Sequence, residues 1–161
     1  MVKPTRLPKP SLADPVQLLA FGFGAGCAPR APGTFGTLAG VALYLPLAQL
    51  SLPAYAAILL CAAVFGVWLC GTASRRLAVH DHPGIVWDEI VGYLVTMFGL
   101  PFGLAWVVAG FVLFRLFDIW KPWPISWLDR RVSGGLGIMV DDVAAGAAAC
   151  VCLHAAHALA G

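Results

Sequence analysis

Three long stretches of the sequence carry no charged side chain, and they constrain the fold more than any other feature. They cover residues 31–74, 90–114 and 143–161. A helix needs about 20 apolar residues to cross the hydrocarbon core of a bilayer, so each stretch is long enough for a crossing. Only 11% of the 161 residues are charged, whereas an ordinary soluble domain has roughly 25%. The sequence therefore predicts an integral membrane protein.

The charge balance excludes further classes of protein and divides the chain. The net charge is +2, which is too small for a protein that binds nucleic acid through its phosphates. Lys3, Arg6 and Lys9 lie among prolines near the start. We therefore interpret residues 1–18 as a basic, proline-rich arm and residues 19–161 as a single helical membrane domain.

Prolines and charged residues divide the uncharged stretches into four to five membrane helices, which predicts an all-α fold. A proline in a helix interior removes a backbone hydrogen bond, so Pro53, Pro101 and Pro122 mark helix boundaries. The first predicted helix is short and contains Pro46, so it either crosses the membrane with a tilt or kink, or it is re-entrant. The predicted helices cover about residues 35–49, 53–71, 83–98, 102–120 and 141–160.

Alternating helices place the charged residues at one face of the membrane. The ten basic and eight acidic residues fall on or just inside that face, whereas the connections near residues 50–54 and 98–103 carry no charge. Positively charged residues mark the cytoplasmic side of membrane proteins. We therefore expect the charged face to be cytoplasmic.

Two acidic pairs, Asp88–Glu89 and Asp141–Asp142, lie at the predicted starts of membrane helices. Acidic side chains in such segments are costly and usually functional. Carboxylates that converge on one point suit a hard cation such as Mg²⁺, which prefers oxygen ligands. Alternatively, each pair only favours the positive end of a helix dipole. Two pairs in a chain with so few acids favour the metal site.

Basic residues follow the fourth predicted helix. Arg115 and Asp118 are three residues apart and share a helix face, as do Asp118 and Lys121. They either form a structural ion pair or face a phosphate group. Lys121, Arg130 and Arg131 lie where the phosphate of a lipid headgroup would arrive. Alternatively, the two arginines only bind anionic lipid at the membrane interface.

Two short motifs carry weaker signals. Gly134 and Gly135 precede the last helix, where glycines let backbone N–H groups approach an anion, although glycines also make ordinary turns. His80, Asp81 and His82 are spaced poorly for a closed zinc site on a helix, and no cysteine pair completes one. We expect a loop with a hydrogen-bonded Asp81 before the third helix.

Five segments together resemble the phosphatidylglycerophosphatase A family, and the likeness covers residues 19–146. The family implies an enzyme that hydrolyses phosphatidylglycerophosphate to phosphatidylglycerol and phosphate, with Mg²⁺, at the bacterial inner membrane. One departure is Ala28, where members often have serine, so a catalytic serine is not expected there. The segments are Ala28–Thr34, His80–Glu89, Phe114–Ile125, Trp127–Arg131 and Gly134–Asp142.

The resemblance, joined to the charge pattern, implies a role for each matching residue. The expected metal ligands are Asp88, Glu89, Asp141 and Asp142. Substrate contacts fall to Arg115, Lys121, Arg130, Gly134 and Gly135. A water molecule activated by the metal is the simplest nucleophile, and an aspartyl-phosphate intermediate is the alternative, with the catalytic candidates Asp118 and Asp129.

Two other classes of function fit the sequence less well. A phosphatidyltransferase carries an Asp-Gly-x-x-Ala-Arg pattern, which the sequence lacks. A membrane transporter or scaffold explains the apolar helices but places ionisable groups deeper in the spans. The pattern favours a phosphatase with a phospholipid substrate.

Overall fold

The computed structural model describes residues 7–80 and 82–160, and this part of the chain contains helices and no strand. The predicted all-α fold is confirmed. A short 3-10 segment covers Gly22–Cys27. The α-helices are α1 (Pro15–Ala20), α2 (Pro32–Leu47), α3 (Leu52–Leu77), α4 (Trp87–Thr96), α5 (Leu104–Trp120), α6 (Ile125–Arg131) and α7 (Gly134–Ala160).

Prolines and left-handed residues set the helix boundaries. Pro53 lies in the first turn of α3, where its missing N–H costs nothing. Helix α5 ends at Lys121, whose φ of 45° is left-handed, and Pro122 follows directly. Helix α1 extends across residues 18 and 19, the predicted boundary between the basic arm and the membrane domain. Its N-cap residue Asp14 forms an ion pair with Arg76 at the end of α3, with an N–O distance of 2.6 Å.

Several helices differ from the prediction: α1 and α6 were not predicted, α3 extends to Leu77 rather than about residue 71, and α4 and α7 begin elsewhere. Helix α4 begins at Trp87 rather than near residue 83, because the preceding residues form a turn in which the Gly84 N–H donates to His82 Nδ1 at 3.0 Å. Helix α7 begins at Gly134, so the predicted glycine loop is its first turn. Gly135 packs directly on α3, and a Cβ there would lie 1.9 Å from the Val67 carbonyl oxygen.

Helix α4 is the central helix of the bundle. It packs against α2, α3, α5 and α7, most extensively against α7. Seven of its ten residues are buried. Gly92 and Gly146 bring the α4 and α7 backbones together, since a Cβ on Gly146 would lie 2.3 Å from the Gly92 carbonyl oxygen.

Contacts at both ends show that the long helices, taken in chain order, run in alternating directions. At one end, the start of α7 meets the end of α3 through Gly135 and Gly71. At the other end, the Tyr55 hydroxyl donates to the Leu94 carbonyl at 2.7 Å, and His154 Nε2 lies 2.9 Å from the Phe98 carbonyl oxygen. The described charged residues lie near the first end: before α1 and α2, in the first turn of α4, near the ends of α3 and α5, in α6 and in the first half of α7. We call it the charged end.

Two of the described helices, α3 and α7, are long and apolar enough to cross a membrane, by length and composition. Helices α2 and α5 have 16 and 17 residues, so each is about 25 Å long. Helix α4 has ten residues and is about 15 Å long, half the thickness of the hydrocarbon core. The predicted count of four to five spans is therefore not confirmed.

The alternating arrangement makes a prediction about sidedness. In a variant without the native cysteines, Leu52→Cys and Pro101→Cys should react with a membrane-impermeant thiol reagent from one side of the membrane. Ala78→Cys and Val132→Cys should react from the other side, because they lie at the charged end. Labelling of intact spheroplasts and of inverted vesicles measures this. Reaction of residues 78 and 132 from opposite sides would contradict the arrangement.

Candidate active site

A cavity of about 360 Å³ opens at the charged end of the bundle. It lies between the starts of α2, α4 and α7, the end of α5, and α6. Most of its charged lining comes from residues that the sequence singled out. These are Asp88, Glu89, Arg115, Asp118, Lys121, Asp129, Asp141 and Asp142.

Three of the acids, Asp88, Glu89 and Asp142, form a group that we call the acid triad. Each offers a carboxylate oxygen, and these oxygens lie within 4.8 Å of one another. Asp88 and Asp142 are only 8% and 3% exposed. The first turn of α4 supplies two members and α7 supplies the third, so the packing of α4 on α7 assembles the triad.

The acid triad contains oxygens that are buried and unpaired. Asp88 Oδ1, Glu89 Oε2 and Asp142 Oδ2 have no hydrogen-bond partner in residues 7–80 and 82–160. A buried carboxylate without a partner is costly, and such groups are normally paired or bound to a metal. Hard divalent cations take carboxylate oxygens as ligands. The donor set therefore fits a divalent cation.

Lys121 forms ion pairs with two acids that also line the cavity, Asp129 and Asp141. We call these three residues the lysine clamp. Lys121 Nζ donates to Asp141 Oδ2 at 2.5 Å and to Asp129 Oδ1 at 2.9 Å. Burial alone would lower the pKa of Lys121, but the hydrogen bonds to Asp129 and Asp141 raise it above the usual value. Lys121 therefore stays charged at physiological pH.

Arg115 is the second partly buried cation of the cavity. It donates to Asp118 on the same face of α5, and its Nη1 lies 4.0 Å from Glu89 Oε1. Its Nε has no partner within the described chain. Gly33, at the start of α2, packs against this pair, since a Cβ there would lie 2.4 Å from Glu89 Oε1. Arg115 thus lines the cavity and interacts both with Asp118 and with Glu89 of the acid triad.

Most of the chain matches the model of one protein family. A model of the family described as phosphatidylglycerophosphatase A matches residues 18–157. The chain belongs to the phosphatidylglycerophosphatase A family. The resemblance of the motifs is therefore confirmed.

Relatives in bacteria are similar over most of their length. A phosphatidylglycerophosphatase A from Escherichia coli is 46% identical over 136 residues, which cover 84% of this chain and 79% of the relative. The protein of the same name from Haemophilus influenzae is 42% identical over 147 residues, 90% of each chain. A Bacteroides thetaiotaomicron protein, provisionally named phosphatidylinositol-3-phosphatase, is 37% identical over 138 residues, 80% of this chain and 85% of its own. No solved structure matches the chain at a significant level.

Membership of the phosphatidylglycerophosphatase A family makes the chain an enzyme of lipid metabolism, a phosphatase. The bacterial relatives and the two long apolar helices indicate a bacterial membrane protein. The transporter or scaffold considered from the sequence is therefore replaced by an enzyme.

The structure separates the four acids that the sequence grouped as metal ligands. Asp88, Glu89 and Asp142 form the acid triad, whereas Asp141 Oδ2 binds Lys121. Neighbouring residues on a helix point about 100° apart, so Asp141 and Asp142 face different groups. Asp141 Oδ1 is buried without a partner in the described residues, but its carboxylate belongs to the lysine clamp.

Three predicted substrate-binding residues do not line the cavity: Arg130, Gly134 and Gly135. Arg130 Nε donates to the Ser126 carbonyl of its own helix at 3.0 Å. Gly135 packs against α3, which is a structural use of the glycine. Substrate contacts by these three residues remain a prediction from the family motif.

The lining residues that were not assigned roles from the sequence include Gly33 and His80. Both lie in segments that resemble the family, and a glycine in the first turn of a helix is a signal of close packing. His82 does not line the cavity; its ring contacts the Gly84 N–H and the Pro8 carbonyl. Asp81, expected to form a hydrogen bond in this loop, lies outside the described residues.

The lysine clamp gives a kinetic prediction. Lys121→Met keeps most of the aliphatic stem and removes the charge. Because a charged hydrogen bond contributes about 1.5–3 kcal/mol, we expect kcat/KM for a lipid phosphomonoester to fall about 10- to 100-fold. Asp141→Asn should cause a smaller fall, because Asp129 still holds Lys121. Arg75→Met, a change of another basic residue at the charged end, is the control. If the ion pairs of Lys121 were purely structural, Lys121→Met would instead lower the melting temperature and leave kcat/KM near the wild-type value.

Proposed function

We propose that this protein hydrolyses the phosphomonoester of phosphatidylglycerophosphate, giving phosphatidylglycerol and phosphate, with Mg²⁺ held by the acid triad. One observation carries the proposal: three carboxylates, each with a buried oxygen that has no partner in the described residues, and two partly buried cations share one cavity at the end of an apolar helical bundle. Acids that can bind a metal, next to bases that can bind phosphate, are what a metal-assisted phosphatase needs.

Mg²⁺ is the proposed metal because of the chemistry of the donors. Asp88, Glu89 and Asp142 offer only oxygen atoms, and Mg²⁺ keeps several waters while binding one or a few carboxylates and a substrate phosphate. Bound there, Mg²⁺ would neutralise charge on the phosphate oxygens and make phosphorus more susceptible to attack. The described residues place no histidine or cysteine among the triad, which favours a hard cation over zinc.

Lys121 and Arg115 are the proposed phosphate-binding groups. A phosphomonoester carries up to two negative charges, and the acid triad alone would repel it. Both cations line the cavity, and each is already held in place by an aspartate. Charge-assisted hydrogen bonds to phosphate are among the strong ones, and they strengthen as charge develops in the transition state.

We propose water, rather than an aspartate, as the nucleophile. Asp118 accepts a hydrogen bond from Arg115, and Asp129 accepts one from Lys121. Either carboxylate would have to leave its cation before it could attack phosphorus. As partners of the two cations, Asp118 and Asp129 would instead orient the groups that bind the phosphate.

The names of the relatives support the substrate, and the charge pattern supports the location. Two relatives are named for phosphatidylglycerophosphate and the third for a phosphatidylinositol phosphate. Both of these named substrates are phosphomonoesters of a phospholipid. Arg75, Arg76, Arg130 and Arg131 lie at the charged end, and by the positive-inside rule they support a position of this end on the cytoplasmic face of the inner membrane.

Phosphate release from purified protein tests the proposal. In detergent micelles that contain phosphatidylglycerophosphate, we expect release that stops in EDTA and returns when Mg²⁺ is added in excess. Phosphatidic acid and phosphatidylinositol 3-phosphate, at the same mole fraction in the micelle, should be poorer substrates. Equal release with and without EDTA would contradict the metal assignment. A clear preference for phosphatidylinositol 3-phosphate would contradict the substrate.

A further inference from the structure

The cavity is lined by polar and by apolar side chains. His80, Lys121 and Asp129 are among the polar ones. Ala31 and Pro32 at the start of α2, and Ile119 near the end of α5, are apolar lining residues on two helices that contact each other. Ile119 is also 71% exposed on the outer surface. A residue that borders the cavity and the outer surface marks an opening, so the cavity has an apolar mouth between α2 and α5.

An exposed apolar stripe on α5 starts at this mouth. It consists of Ile119, Leu116, Val112 and Val108, all of which are exposed. Their spacing of three, four and four residues places them on one face of the helix. The stripe extends over 11 residues, which is about 16 Å. Half of a bilayer's hydrocarbon core is about 15 Å thick, so the stripe reaches from the mouth to the membrane midplane.

A second stripe starts from the α2 side of the same mouth. Ala31 lines the cavity, and Phe35 and Leu38 continue its face at helical spacing with exposed side chains. Helices α2 and α5 contact each other, and Gly33 on α2 faces Arg115 on α5. We call the two stripes together the apolar track: Ile119, Leu116, Val112 and Val108 of α5 with Phe35 and Leu38 of α2.

Exposed tryptophans lie at the same level as the mouth. Trp120, next to Ile119, is 71% exposed, and Trp123 and Trp127 are exposed beside it on the chain that leads into and along α6. Tryptophans concentrate at the interface between lipid and water. The mouth therefore lies at the depth of the headgroups. The polar lining residues of the cavity are then nearest to water, and the apolar track extends toward the hydrocarbon.

We infer that the apolar track is the acyl-chain binding site of the lipid whose phosphate enters the cavity. This inference rests on the proposed function and adds the route that the substrate takes. A phospholipid joins one headgroup to two chains, so a phosphate between Lys121 and the acid triad requires an apolar exit for the chains. The mouth between α2 and α5 is that exit. The lipid reaches the cavity sideways from the membrane and is not lifted out of it.

A pair of double variants tests the apolar track. Val112→Ser with Leu116→Ser changes two neighbours on the track. Leu60→Ser with Val64→Ser is the matched control, because it changes the same residue types at the same spacing on an exposed face of α3. The readout is kcat/KM for dioleoyl phosphatidylglycerophosphate in mixed micelles, divided by kcat/KM for the dihexanoyl analogue below its critical micelle concentration.

The track predicts that this ratio falls about tenfold or more in the α5 double variant, because contacts to the long chains are lost. The α3 double variant should keep the wild-type ratio. An unchanged ratio in the α5 double variant, or an equal fall in both, overturns the inference while leaving the proposed function in place.

A binding measurement separates failure of the track from failure of the proposed function, since it requires no hydrolysis. Benzoylphenylalanine replaces Leu116 or, as the control, Val64, in nanodiscs that contain tritiated phosphatidylglycerophosphate. We expect crosslinking at position 116 that excess glycerol 3-phosphate reduces, because the soluble phosphate displaces the headgroup from the cavity. Crosslinking at position 64 should not respond to glycerol 3-phosphate. The same insensitivity at position 116 would show that only bulk lipid contacts the track.

Discussion

The backbone contact between α4 and α7 is the interaction on which the site depends. A Cβ on Gly146 would lie 2.3 Å from the Gly92 carbonyl oxygen, and a Cβ on Gly92 would lie 2.8 Å from that of Asp142. Neither position has room for a side chain without a backbone shift. The close approach places the first turn of α4 beside the second and third turns of α7, and so it brings Asp88 to Asp142. Substitutions at these glycines would therefore alter the acid triad from a distance.

Charge balance links this packing to the chemistry. Buried carboxylates in an apolar bundle are costly unless they are paired. Lys121 and Arg115 form ion pairs with Asp129, Asp141 and Asp118, whereas each member of the acid triad keeps a buried oxygen without a partner in the described residues. The acid triad is therefore the place where the proposed Mg²⁺ would bind, next to two cationic side chains that could receive an anion. Under the proposed function, a metal and a phosphate together would complete the balance of charge.

The all-α fold and the position of the charged residues at one end could be predicted from the sequence. Long uncharged stretches indicate helices, and prolines mark where the helices begin and end. The sequence was not sufficient to distinguish Asp141 from Asp142. These neighbours face different partners only because of the rotation of α7, which distant contacts such as that of Gly135 with Val67 determine. The start of α4 also depends on distant residues, since the Val86 N–H donates to the Ala20 carbonyl at 2.8 Å. Local propensity contains no information on either contact.

Binding of Mn²⁺, followed by electron paramagnetic resonance on the detergent-solubilised protein, tests whether the acid triad binds a divalent cation. We expect the wild type to bind Mn²⁺ and Mg²⁺ to displace it. Asp142→Asn should weaken binding at least about tenfold, because loss of even an outer partner of a metal ligand costs that much. Asp129→Asn, which changes an acid of the lysine clamp in the same cavity, should bind Mn²⁺ like the wild type. Wild-type affinity in Asp142→Asn, or an equal loss in both variants, would contradict the acid triad as the metal site.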